Sequence, residues 1–134
     1  MRADPLVDPV DESSWDYRRH VLQMLKSAHE AGVKLVCGTD PPTPYVFHGY
    51  SVHQELELMV EAGLTPMEAL VIATRRPAEM LGAEDIFGTI KPGKRADLLI
   101  LSANPLEDIH NTRTLETVIL DGNVLDQSAL LADE

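Results

Sequence analysis

One apolar segment ends in the residues of this sequence that are best suited to chemistry. The run at 33–37 is mostly apolar, and it stops at Gly38-Thr39-Asp40, after which prolines follow at once. A buried strand of an α/β barrel delivers a carboxylate to a functional site in this way, at its carboxyl end. Asp40 could therefore bind a divalent metal and accept a proton from water, although aspartate is also common in turns and as a helix N-cap.

Two histidines follow Asp40 closely enough to share a site with it. His48 lies beside Gly49 in the loop after the strand, where it could contact a substrate or a metal, or simply be an exposed loop residue. His53 falls in the first turn of a predicted helix, a position that favours local packing or hydrogen bonding. Convergence of Asp40, His48 and His53 would give a small self-sufficient metal hydrolase, and their spacing neither requires nor excludes it.

The remaining candidate side chains favour structural roles. Cys37 is the only cysteine, so no intrachain disulfide can form, and its apolar setting predicts a small buried hydrophobic residue. Glu55 and Glu57 are two residues apart and so do not share a helical face, which argues against a paired-carboxylate site. The other histidines are expected to be structural or exposed: His20, His29 and His110.

Several familiar catalytic motifs are absent from the sequence. It contains no His-x-His, His-Glu-x-x-His, Cys-x-x-Cys, Gly-x-Ser-x-Gly or Walker-type phosphate loop. A catalytic zinc site needs three protein ligands, so this chain alone does not supply a recognisable one.

Length and charge limit the possible functions. The chain has 134 residues, 44% of them hydrophobic, enough for one domain with a core. A complete (β/α)₈ barrel needs roughly 250 residues, so only an incomplete barrel fits. The net charge of −11 argues against nucleic acid and anionic membranes as partners. We expect a cytoplasmic protein, because the sequence has neither a signal-peptide pattern nor a long apolar run.

Helices and one strand must position Asp40. Residues 1–12 predict an extended arm, and a helix capped by Ser13 or Ser14 then runs to Gly32. The strand 33–37 and the proline-rich loop 41–50 follow, and a helix capped by Ser51 ends at Gly63.

The second half of the chain changes from helical to β patterns. Thr65-Pro66-Met67-Glu68 predicts a capping box and a helix to Arg76, and Pro77 opens a short turn closed by Gly82. A strand at 96–101 and a hairpin at 118–125 follow a turn-rich segment. Asp121-Gly122 favours a type I′ turn, and the tail 126–134 is expected to fray.

Ordered motifs along most of the chain resemble the C-terminal third of the amidohydrolase superfamily. The similarity is strongest to imidazolonepropionase-like and Xaa-Pro-dipeptidase-like enzymes, and it extends over about 90 residues. The motifs are Gly38–Asp40, His53–Leu70, Ala73-Thr74, Pro77–Gly82, Gly88–Leu101, Asn104–Ile109 and Val118–Gly122.

The resemblance implies both a fold and a mechanism. Members of this superfamily have a (β/α)₈ barrel with one or two divalent metals, usually zinc, and a small β-sandwich. The resemblance implies that Asp40 is the metal ligand and proton shuttle after the eighth strand, and that His48 contacts the substrate. The family's His-x-His, its bridging carboxylated lysine and its two later histidines would all precede this region. Arg76 stands where the family often has asparagine before Pro77.

These inferences predict an α/β chain with three parts. Residues 1–84 would be the last αβα portion of an incomplete barrel, 85–126 a β-sandwich segment, and 127–134 a tail. The complete enzyme would hydrolyse an amide, cyclic amide or dipeptide bond of a small molecule with a divalent metal. The piece alone would be inactive, and it could be free of metal.

An alternative function is a non-catalytic association module. A strand at 33–37 that is apolar on both faces needs a neighbour on each side, and unpaired edges favour association. We therefore expect a homo-oligomer, or a chain that complements a partner.

Overall fold

The fold places helices first and strands last along the chain. The structure is a computed structural model that describes residues 12–41 and 46–126, so most of the predicted arm and tail lies outside the described residues. Among the described residues, no helix is both long enough and apolar enough to cross a membrane. The elements are α1 (Glu12–Glu30), α2 (Tyr50–Glu61), α3 (Pro66–Ala73), α4 (Arg75–Met80), β1 (Leu98–Leu101), a 3₁₀ helix (Ile109–Arg113), β2 (Leu115–Leu120) and β3 (Asn123–Val124).

Three helices end where the sequence places a glycine. Gly32, Gly63 and Gly82 all have positive φ, and each donates its amide to the carbonyl three residues earlier. In each case the next residue donates to the carbonyl five residues earlier, which completes a Schellman motif. The predicted ends of α1 and α2 and the closing Gly82 are confirmed.

The start of α3 follows the predicted capping box. The Thr65 hydroxyl accepts a hydrogen bond from the Glu68 amide, and the Glu68 carboxylate accepts one from the Thr65 amide at 2.8 Å. The bond from the Thr65 amide, followed by one that the Thr65 hydroxyl donates to the same carboxylate at 2.7 Å, lowers the pKa of Glu68 to about 2. His29 Nε2 lies 3.1 Å from the same carboxylate and so connects α1 to α3.

The division between α3 and α4 differs from the prediction. The helix was expected to reach Arg76, but it ends at Ala73, and α4 begins at Arg75, before Pro77. Proline is tolerated there because the first amides of a helix have no intrahelical acceptor, so Pro77 removes no hydrogen bond.

Residues 33–40 do not form the predicted strand. No described strand pairs with this segment, and its residues have no regular secondary structure. Leu35 and Cys37 pack against the helical core, whereas Val33 and Val36 are exposed. A strand buried on both faces requires neighbouring parallel strands, and the part of the chain that the structure describes contains none.

The hydrophobic core lies mainly between α2 and α3. Its buried members are Leu56, Met59, Ala62, Leu64, Ala69, Ile72 and Ile109. Side chains from α1 and from segment 33–40 cover it partly, among them Leu22, Leu25, Leu35 and Cys37. The core therefore fixes the helices against which Leu35 and Cys37 pack.

The three strands form one antiparallel sheet in the order β1-β2-β3. β1 is shorter than the predicted 96–101 strand, and it pairs Leu98 with Ile119. Asp121 and Gly122 both have positive φ, as a type I′ turn requires, so the predicted hairpin is confirmed.

Candidate active site

Asp40 lies at the end of segment 33–40 with an exposed side chain. Its φ of 49° places the backbone in the left-handed region, which aspartate enters more readily than most residues. The next described helix begins at Tyr50 with Gly49 as its N-cap, so Asp40 does not cap it. Within the described residues, the Asp40 carboxylate has no hydrogen bond or ion pair. Its position suits either a turn residue or a ligand directed to solvent.

Glu55 in α2 holds the backbone two residues before Asp40. One oxygen, Oε2, accepts a hydrogen bond from the Cys37 thiol at 3.1 Å, and the other, Oε1, accepts one from the Gly38 amide at 3.2 Å. The Cys37 amide donates to the Ile72 carbonyl of α3 at 3.3 Å. Two helices therefore anchor the end of this segment.

The contact with Glu55 changes the chemistry of Cys37. Burial, followed by the hydrogen bond and the charge of Glu55, raises the pKa of the thiol to about 12. The thiolate is the nucleophilic form, so Cys37 is not a nucleophile at neutral pH. The prediction of a buried hydrophobic residue was only partly right, because Cys37 is half-buried and donates a hydrogen bond.

The two candidate histidines differ in their surroundings. His48 is exposed, and only its carbonyl has a partner among the described residues, the Tyr50 amide. His53 Nδ1 lies 2.9 Å from Oγ1 of Thr112, and that hydroxyl donates its proton to the Ile109 carbonyl. His53 Nδ1 is therefore the donor to Thr112. The bond is structural, as expected for His53, but its partner lies 59 residues away in the chain rather than close by.

No metal site forms among the residues that the structure describes. No group of three or more His, Cys, Asp or Glu side chains there could hold a metal ion, so Asp40, His48 and His53 do not converge. Asp40 supplies a suitable oxygen donor, but one ligand does not make a catalytic zinc site. The described residues alone therefore do not supply the set of ligands that a catalytic metal needs.

The remaining charged candidates form structural contacts. Glu55 and Glu57 point to different partners, since both Glu57 oxygens contact the Arg113 guanidinium, at 2.6 and 2.7 Å. His110 Nδ1 lies 2.7 Å from an Asp108 oxygen. The expectation that Glu55 and Glu57 do not act as a pair is confirmed.

Glu55 is the residue that the sequence analysis missed. It was considered only as a possible partner of Glu57, and its contacts with Cys37 and Gly38 lie 18 and 17 residues away in the chain. One signal was available: Glu55 stands four residues before the apolar Met59 and shares a helical face with it, where an acidic side chain needs polar partners.

A family comparison matches nearly all of the described chain. The model of the family described as "Amidohydrolase family" matches residues 10–125. Among curated relatives, the imidazolonepropionase of Haloarcula marismortui is 34% identical over 82 residues, which cover 58% of this chain and 20% of that protein.

Two solved structures share both sequence and fold with this chain. A Xaa-Pro dipeptidase with bound methionine is 37% identical, with a TM-score of 0.72, and the match covers 79% of this chain and 25% of that one. A putative prolidase from Bifidobacterium longum is 40% identical, with a TM-score of 0.73, over 78% of this chain and 26% of that one. The chain spans about a third or less of the length of the first curated relatives it matches.

Proposed function

We infer the function of this chain from its family: it belongs to the amidohydrolase family, and we propose that it forms the C-terminal part of a metal-dependent enzyme that hydrolyses carbon–nitrogen bonds. The match over residues 10–125 carries this proposal, because it includes Asp40 and the motifs on both sides of it. The relatives include an imidazolonepropionase and a Xaa-Pro dipeptidase. We therefore assign a small-molecule amide, cyclic amide or dipeptide as the substrate class of the complete enzyme.

In this proposal Asp40 is both a metal ligand and the proton carrier. In the complete enzyme Asp40 would be one of the residues that hold a divalent metal, which we propose to be zinc, and the metal would supply the chemistry that lowers the pKa of water. The Asp40 carboxylate would accept a proton from water and return it to the leaving nitrogen. Its exposed position at the end of segment 33–40 supports this role, because the side chain is open to a substrate and to further ligands.

We assign His48 to substrate binding. It lies in the loop that follows Asp40, and its exposed imidazole is open to a bound molecule. The other metal ligands would come from outside the described residues, so the isolated chain is expected to be inactive.

A chimeric enzyme tests this function. Residues 10–125 would replace the matching C-terminal quarter of the Xaa-Pro dipeptidase, and hydrolysis of a Xaa-Pro dipeptide would be measured. We expect Asp40→Asn to lower kcat by about 10²-fold or more, because it removes a proton acceptor. Asn tolerates the left-handed backbone at this position, so the change tests the carboxylate rather than the fold.

Asp121→Asn is the matched control. Asp121 is also exposed with a positive φ, and it lies in the β2–β3 turn, far from Asp40 in sequence. We expect it to leave the activity of the chimera unchanged. Full activity of the Asp40→Asn chimera, or a folded, metal-loaded chimera without activity, would contradict the proposal.

We also propose association as a second function for the isolated chain. Val33 and Val36 are 54% and 37% exposed, in a segment without a described strand partner. Such a surface favours a second copy or a complementing chain. Sedimentation equilibrium tests this proposal, because it measures whether the isolated chain associates.

A further inference from the structure

The backbone before Asp40 is held by a small set of hydrogen bonds. Within the described residues, segment 33–40 lacks the strand ladder that would normally fix such a segment. Its final anchors are the two bonds to Glu55 and the bond from the Cys37 amide to the Ile72 carbonyl. Asp40 comes two residues after Gly38, the last of these anchored positions.

The Glu55 carboxylate is chemically matched to this task. Both of its partners are donors, a thiol and an amide, and a carboxylate accepts with both oxygens. Alanine would lose both bonds. Glutamine would keep one acceptor oxygen. Its side-chain NH₂ group would face the other donor, the Cys37 thiol or the Gly38 amide, and could not accept a hydrogen bond from it.

We propose that Glu55 is a positioning residue that fixes the path of Gly38-Thr39-Asp40 and so sets the location of the Asp40 carboxylate. The catalytic importance of this position rests on the function proposed above for Asp40. The geometry does not depend on that function, because the contacts join α2 to the backbone in the chain itself.

Glu55 could instead merely satisfy the Cys37 thiol, and the two roles predict different behaviour. If Glu55 positions the backbone, its bond to the Gly38 amide matters, and Cys37→Ala leaves residues 38–40 ordered. If it serves only the thiol, Cys37→Ala and Glu55→Ala have the same small effect on these residues.

Backbone relaxation of the ¹⁵N-labelled full chain tests the proposal without metal or substrate. We expect the order parameters of Gly38, Thr39 and Asp40 to fall in Glu55→Ala from about 0.85, typical of rigid backbone, towards 0.6. Glu55→Gln is expected to restore part of this loss through its remaining acceptor. Unchanged order parameters in Glu55→Ala would overturn the proposal.

Glu57→Ala is the matched control, because it removes the same charge from the same helix but breaks contacts with Arg113 instead. It is expected to leave residues 38–40 ordered, and equal loss in both variants would also overturn the proposal. Amide shifts of the core residues Ala69 and Ile72 report whether each variant remains folded. If Glu55→Ala unfolds, the same comparison between Glu55→Gln and Glu57→Gln decides, with a partial loss of order at residues 38–40 expected in Glu55→Gln and none in Glu57→Gln.

This test separates the inference from the proposed function. If Glu55→Ala loses order but the Asp40→Asn chimera keeps full activity, the positioning role of Glu55 is retained and the catalytic role of Asp40 is rejected. Retained order in Glu55→Ala together with an inactive Asp40→Asn chimera would reject only the role of Glu55.

Discussion

At the scale of single residues, Glu55 influences the chemistry of the Cys37 thiol. The thiol donates to the carboxylate, and burial together with the nearby negative charge disfavours the thiolate. The apolar run before Asp40 thus ends in a neutral, hydrogen-bonded cysteine rather than a reactive one.

The raised pKa of Cys37 predicts that the free energy of unfolding depends on pH. The thiol ionises near 9.0 in the unfolded chain and near 12 in the folded one. Between these values the unfolded state binds fewer protons, so the free energy of unfolding should fall as pH rises from 9 to 12. Urea unfolding across this range measures the effect, and Cys37→Ala should reduce the decline relative to the parent chain.

A second measurement on Cys37 checks the same shift. At pH 8 the folded chain should react with iodoacetamide far more slowly than the urea-unfolded chain. Equal rates would contradict the raised pKa.

At the scale of elements, close contact joins the helical part to the segment before the sheet. Gly88 has a φ of +89°, and a Cβ placed there would lie 2.6 Å from Cβ of Ala78 and 3.0 Å from the Thr74 carbonyl oxygen. Ala78 is fully buried in α4. Only glycine permits this approach, so Gly88 allows the chain that follows α4 to pack closely against that helix.

Gly88→Ala should destabilise the fold, because overpacking of this contact adds about 1–3 kcal/mol to the cost of the strained backbone. Gly93→Ala is a close control: its φ is +87°, but a Cβ there meets no atom within 4 Å. The urea midpoint of Gly88→Ala should therefore fall further than that of Gly93→Ala. Equal midpoints would show that crowding at position 88 does not affect the free energy of unfolding.

At the scale of the whole molecule, apolar surface remains exposed on several elements. Val33 and Val36 precede the candidate site, and on β1 Leu99 and Ile100 are 60% and 45% exposed. Among the described residues, no large side chain is fully buried. A fold with a small core and open apolar segments gains stability when another chain covers them.

We therefore expect the chain to self-associate at micromolar concentration in sedimentation equilibrium. Val36→Glu should weaken this association by at least about tenfold, which corresponds to about 1.4 kcal/mol. Ile90→Glu introduces the same charge at a residue that is 86% exposed outside segment 33–40, and it should have a smaller effect. A monomeric parent chain would contradict the association module.

Much of the fold follows from local sequence, and the family follows from the motifs. The capping box at Thr65, the glycine helix ends and the Asp121-Gly122 turn are each formed by hydrogen bonds between residues a few positions apart. Such contacts depend on residue type and spacing, which can be read directly. The resemblance to amidohydrolases is confirmed by the family match over residues 10–125.

The candidate site depended on contacts that spacing does not reveal. The sequence by itself determined which residue ends the apolar run, Asp40, and the glycines at which the helices before and after it end. The predicted N-caps Ser13 or Ser14 and Ser51 were wrong, because they lie inside helices that begin at Glu12 and Tyr50. Only the tertiary structure decided that segment 33–40 has no described strand partner, that Glu55 anchors Gly38, and that His53 pairs with Thr112, 59 residues away. The reason is physical: helix caps and turns satisfy backbone groups locally, whereas strand pairing and buried polar contacts require partners brought together by the whole fold.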